Sequence, residues 1–132
     1  MTFAPLPEHI EMLIHSVIGA AIEVHKVLGP GHLEQHYENA LCVELGLRGI
    51  PFKRQQTVVL NYKGHEIGEG RIDLVVADEL VVELKAVESI SSIHLAQVMS
   101  YLRIRESRAG LILNFNVPAM NSKDAIRRVI VN

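Results

Sequence analysis

The chain has 132 residues, 48% hydrophobic and 21% charged, with a formal net charge of −2 and one cysteine. These figures fit a single domain, 1–132, with room for a real core, and exclude a disordered chain, an internal disulfide and an all-cysteine zinc or iron–sulfur site. The near-neutral charge gives no global pull toward nucleic acid, so such binding needs a local basic patch or a metal that neutralises an acidic site.

No basic-then-apolar leader is read at the start and no apolar run approaches a membrane span, so a soluble cytoplasmic protein with no membrane contact is expected. From Glu8 to Leu28, apolar residues at Ile10, Leu13, Ile14, Val17, Ile18, Ala21 and Leu28 predict a helix with one buried face. Gly29-Pro30-Gly31 breaks it; without a following Gly-Lys-Ser/Thr this is a turn and not a phosphate loop. A second helix is predicted over His32–Arg48, carrying Leu33, Tyr37, Leu41 and Leu45, with Gly49 and Pro51 as stop signals. Cys42 falls within it and reads as a small buried hydrophobe.

The period then shortens. Strands are predicted over Thr57–Tyr62, Ile67–Val76 and Leu80–Ala86, separated by turns at Lys63-Gly64-His65 and Ala77-Asp78-Glu79. Ser91 and Ser92 are candidate caps for a helix reaching about Arg105. Gly110–Phe115 reads as a buried interior strand, and Asp124–Val131 as a closing helix. The order α-α-β-β-β-α-β-α predicts an α/β sandwich on a mixed sheet.

Within this order Asp73 precedes a strand-borne Glu83-Leu84-Lys85. Alternation puts Glu83 and Lys85 on one face, and a three-residue turn at 77–79 pairs Val76 with Leu80 and sets Asp73 across from Glu83. A two-residue turn would place the carboxylates on opposite faces. Two carboxylates can hold Mg²⁺, and a lysine beside them can orient a water or steady phosphate charge, or simply form a salt bridge. The neighbours are apolar on both faces, so these acids need a partner. Glu34 shares the apolar stripe of the second helix and is a candidate third acidic ligand; Glu38 could serve instead. Gln97 and Tyr101, spaced i and i+4 with His94 one turn earlier, suit a phosphate or a metal-bound water.

Other features carry less. His32 and His36 are expected at the surface, because Glu34 projects away from both. Arg103, Arg105 and Arg108 form the best basic cluster and Arg127 with Arg128 a second, either of which could track a phosphate backbone.

The segment Gly31-His32-Leu33-Glu34-Gln35-His36-Tyr37 resembles the signature of the GxxExxY protein family. The likeness continues through Leu47–Pro51, Tyr62-Lys63-Gly64, Gly68–Leu74, Val82–Ala86, Gln97–Leu102, Asn114–Pro118 and Ile126-Arg127-Arg128, nearly the whole chain. That family is grouped with the PD-(D/E)xK nuclease superfamily, near its RecB-type and phage exonuclease-type branches. The resemblance implies a restriction-endonuclease-like α-β-β-β-α-β core with a mixed sheet flanked by helices, plus an extra N-terminal helix. By motif, Asp73, Glu83 and Glu34 match the metal-binding acids, Lys85 the catalytic lysine, and Gln97 with Tyr101 the Gln-x-x-x-Tyr element of the RecB-type branch. Ile72 stands where the superfamily name implies proline, and the iron–sulfur cysteines of some RecB-type enzymes are absent.

The implied function is Mg²⁺- or Mn²⁺-dependent hydrolysis of phosphodiester bonds, in DNA during repair, recombination or defence. The small size points to a homodimer or a partner protein. The competing expectation is a non-catalytic nucleic-acid-binding or regulatory subunit that keeps the fold.

Overall fold

A computed structural model of the chain describes residues 5–131. Helix α1 (Glu8–Leu28) buries Ile10, Ile14, Val17, Ala20, Ala21 and Val24 along one face. Pro7 precedes its first turn, where a missing N–H is no loss, and Gly29, at φ 68°, ends it. Helix α2 (Glu34–Leu47) buries Tyr37, Glu38, Leu41, Cys42 and Leu45 and packs against α1.

Strands β1 (Phe52–Tyr62), β2 (His65–Val76), β3 (Leu80–Lys85), β4 (Ala109–Asn114) and β5 (Ile126–Ile130) lie in that order across one sheet. Helix α3 (Ser92–Arg105) carries the crossover between the parallel pair β3 and β4; the other neighbours are antiparallel. Side chains such as Leu74, Val76, Val82, Leu84 and Leu111 pack with α1 and α2 on one face. Ile72, Val75, Val81 and Ile112 pack with Val98 and Leu102 of α3 on the other. This is the expected restriction-endonuclease-like α/β fold, its core running from α2 to β4 behind an added N-terminal helix.

Three differences from the expected elements have physical causes. Helix α2 begins at Glu34 and not His32, because Leu33 is its N-cap. Strand β1 begins at Phe52 and not Thr57. Lys53 to Gln56 have no apolar alternation, and Lys53, Arg54 and Gln56 are held in the strand largely by pairing with β2. The closing helix is not formed: Ile126–Ile130 is β5. Apolar residues at 126, 129 and 130 mimic helical spacing, but they are β-branched and β4 is buried along its whole length, so its second edge requires a partner strand.

The loop between β4 and β5 is fixed by specific contacts. Phe115 stacks on Tyr37 with ring centroids 4.6 Å apart and 9° between planes. His25 donates from Nε2 to the Val117 carbonyl at 2.8 Å. Tyr37 in turn donates its hydroxyl to the Gly29 carbonyl at 2.6 Å and accepts from the His32 N–H at 3.1 Å, which ties down the turn before α2. Asn114, fully buried, bonds Val87, Asp124 and Asn116 through its amide.

The β1–β2 hairpin is much longer than the rest of the sheet. Strand β3 pairs with β2 only over Leu74–Val76, so the hairpin beyond Asp73 reaches past the third strand as a two-stranded arm. Residues 61–69 of that arm are exposed. Among the described residues no helix is long and apolar enough to cross a membrane.

Candidate active site

The expected turn at 77–79 is present and pairs Val76 with Leu80. The β2–β3 ladder then stops at Leu74 and Val82, one step short of Asp73 and Glu83. On the other side of β2, the ladder with β1 skips Gln55 opposite Asp73, and Gln55 has φ 50°. Side-chain alternation breaks at the same place. Ile72 packs on the α3 face and Leu74 on the α1–α2 face, although an unbroken strand would put both on one side. Asp73 therefore sits at a seam where β2 changes face. A left-handed non-glycine residue there is stored strain of the kind that accumulates at functional sites.

Side chains close the seam. Asp73 Oδ2 accepts from the Leu84 N–H at 2.9 Å, and Glu83 Oε1 accepts from the Asp73 N–H at 3.1 Å. Each carboxylate thus replaces a backbone acceptor of the missing ladder. The two acids meet as expected, but through a break in pairing and not as a regular cross-strand pair.

Glu83 is only 4% exposed. Burial is the main reason its carboxyl is pushed up to about 8, with the charge of Asp73 alongside adding to the effect and Lys85 opposing it weakly. A buried acid held beside a second acid is costly without positive charge between them. The all-oxygen donors suit a hard divalent cation, which needs only one or two carboxylates because it keeps several waters. Among the described residues no three acidic, histidine or cysteine side chains converge as a closed cage.

Lys85 follows Glu83 on β3 and is half-buried. It forms no salt bridge with either acid among the described residues, so its ammonium remains available. Beneath it lies α3, whose start is set by Ser91 as N-cap in a reciprocal pair of bonds with His94. His94 is thereby engaged in the cap and does not join the site. Tyr101 is buried and has its phenol pushed up chiefly by burial and then by the charge of Glu83, with Arg71 and Gln97 opposing this. It remains a neutral hydroxyl through the physiological range. Gly70 is what lets Tyr101 approach: a Cβ there would lie 2.8 Å from its Cε1.

On the opposite side of the seam, a cavity of about 410 Å³ is lined by Glu34, Gln35, Glu38, Arg54, Gln55 and Asp73. Glu34 is exposed, not on the inward face as expected, yet it shares this cavity with Asp73. Glu38 is the buried one of the pair and its oxygens are taken: Oε2 by Arg54 at 2.8 Å and Oε1 by Gln55 at 2.8 Å. Arg54 and Gln55 escaped the sequence reading because they fall where no strand was predicted. The one available signal was Glu38 itself, an acid on a buried stripe in need of a cation.

Neither basic cluster flanks the seam as a unit. Arg105 and Arg108 lie toward the Leu80 end of β3, away from Lys85, since Ala109 pairs with Leu80. Arg127 and Arg128 are neighbours in a strand and so point to opposite faces, with Arg128 bonded to Glu11 at 2.7 Å. His32 and His36 are exposed, as expected.

The chain matches the family model described as the PD-(D/E)XK nuclease superfamily over residues 11–129. The chain belongs to the PD-(D/E)XK nuclease superfamily. No curated protein matches it. Among solved structures, the crystal structure of SSO0001 is similar, with 15% identity, a TM-score of 0.43, and coverage of 91% of this chain and 77% of that one. Asp73, Glu83 and Lys85 follow one another in the order of the acids and lysine in the superfamily's name. Membership suggests a hydrolase acting on nucleic acid, and divalent metals are typical of such enzymes.

Proposed function

We propose that the protein is a Mg²⁺- or Mn²⁺-dependent nuclease that hydrolyses phosphodiester bonds in DNA, of the GxxExxY type near the RecB branch. The observation that carries the reading is the seam itself: two carboxylates held together in place of a backbone ladder, beside a lysine with no ion pair among the described residues. Asp73 and Glu83, with Glu34 from across the cavity, are the residues that would hold the cation. When bound, it would supply Lewis-acid charge for the phosphate oxygens. Lys85 orients the attacking water or steadies the charge that develops on phosphate. Tyr101 offers a neutral O–H near Glu83, with Gln97 one helical turn before it. The exposed β1–β2 arm and the free outer edge of β1 favour work as a homodimer or with a partner protein.

The test is cleavage of linear, circular, single-stranded and branched DNA, with RNA as a control, in Mg²⁺, Mn²⁺ or EDTA. Wild-type protein is expected to cut with metal only, and Asp73→Ala and Lys85→Ala to lower the rate by about 10³-fold. Cutting that survives both substitutions would refute the site. A folded protein that binds DNA and cuts nothing would instead identify a non-catalytic subunit.

A further inference from the structure

Arg54 is the only cation among the described residues that line the cavity beside Asp73. Its guanidinium is held in one pose. Nε and Nη2 donate to Glu38 Oε2 at 3.1 and 2.8 Å, and Nη2 also donates to Asn39 Oδ1 at 2.5 Å. Glu38 is buried, so this grip sits on a rigid helix and not on a mobile surface chain. Three of the five N–H donors are thus occupied, while Nη1 makes no hydrogen bond among the described residues. Gln55 adds a second clamp on Glu38 at 2.8 Å, and its left-handed backbone turns this part of β1 toward the cavity wall. A planar cation with one edge fixed and the other open is preorganised for an oxyanion, because little rotamer freedom remains to be lost on binding.

We propose that Arg54 binds a backbone phosphate of the nucleic-acid strand, next to the one that is cut, and that Glu38 is its positioning residue. The inference deepens the nuclease reading and rests on it. It also gives Glu38 a role distinct from that of Glu34: both of its oxygens serve Arg54 and Gln55, which leaves Glu34 as the acid open to the cavity. Arg54 brings both directed N–H donors and a charge to the phosphate, so losing it should change affinity, register and salt dependence together.

The test is equilibrium binding of a fluorescein-labelled DNA oligonucleotide with Ca²⁺ in place of Mg²⁺, across a salt series, alongside cleavage rates in Mg²⁺. Arg54→Gln is expected to weaken binding about tenfold and to reduce the salt slope by about one. Arg54→Lys keeps the charge but not the planar fork; it should restore the slope and only part of the affinity. Glu38→Gln keeps the packing and leaves Arg54 charged but loosely held, so affinity should fall with the slope unchanged. A merely structural role would change thermal stability and leave the slope alone. If Arg54→Gln is folded and binds with wild-type affinity and slope while the wild type cuts, the Arg54 proposal fails and the nuclease reading stands. If the wild type binds with this dependence but never cuts, the nuclease reading fails and the anchoring role stands. A wild type that does not bind nucleic acid overturns both.

Discussion

Glu83→Gln is expected to abolish cleavage and, at the same time, to make the metal-free protein more stable at alkaline pH. The loss in rate should be about 10³-fold, because an amide is a poor substitute for a carboxylate facing a divalent cation. The gain in stability follows from protonation. The Glu83 carboxyl is pushed up to about 8 in the folded chain against an ordinary value of 4.5. Between those values the folded state holds a proton that the unfolded state has lost, so stability is greatest below about 4.5 and declines as pH rises through 8. Glutamine does not titrate, and its Oε1 can still accept from the Asp73 N–H. The variant's advantage should therefore be absent near pH 4.5 and reach on the order of 5 kcal/mol above pH 8. Urea denaturation of both proteins in EDTA across that range measures it. Mg²⁺ should recover the difference in the wild type and not in the variant. A variant less stable than wild type at every pH would mean that the charge on Glu83 is already neutralised within the protein.

Asn114→Ala is expected to be the most damaging single change outside the site, at about 4 kcal/mol or roughly 15 °C in Tm. The side chain is fully buried and satisfies four backbone groups: the N–H of Val87 and of Asn116, and the carbonyls of Val87 and Asp124. Alanine strands all four in the interior. Asn114→Asp separates hydrogen bonding from volume. A carboxylate keeps both acceptor bonds but turns its charge on two carbonyls, so the variant should be nearly as unstable at pH 7 and partly recover in acid. Asn114 is also the partner of Lys85 in the parallel β3–β4 register, so survivors of the substitution should show reduced turnover. Thermal melts across pH and a rate measurement check both halves. An unaffected Tm would show that water replaces the amide.

The first helix was legible to the residue, because its apolar stripe and the glycine after it are local signals. The meeting of Asp73 and Glu83 was legible through one number, the length of the turn at 77–79. What the sequence hid was how they meet: the break in alternation depends on Gln55 across the ladder, and no period in β2 alone reveals it. Arg54 was hidden for the same reason, since its partner Glu38 stands on a different element. The closing strand was misread because Ile126, Val129 and Ile130 satisfy helical spacing while the requirement that made them a strand, the open edge of β4, lies elsewhere in the chain. Local periodicity identified the elements; pairing between elements decided their ends and their irregularities.

The long β1–β2 arm has a mechanical consequence. Among the described residues no third strand pairs with its exposed outer half, and at its root Gly70 lies close to the ring of Tyr101, with Val58 in the same apolar cluster. The arm is a cantilever whose root rests against the tyrosine that neighbours Glu83. A partner that gripped the tip near Lys63 would therefore act from a distance on the packing around Asp73 and Glu83.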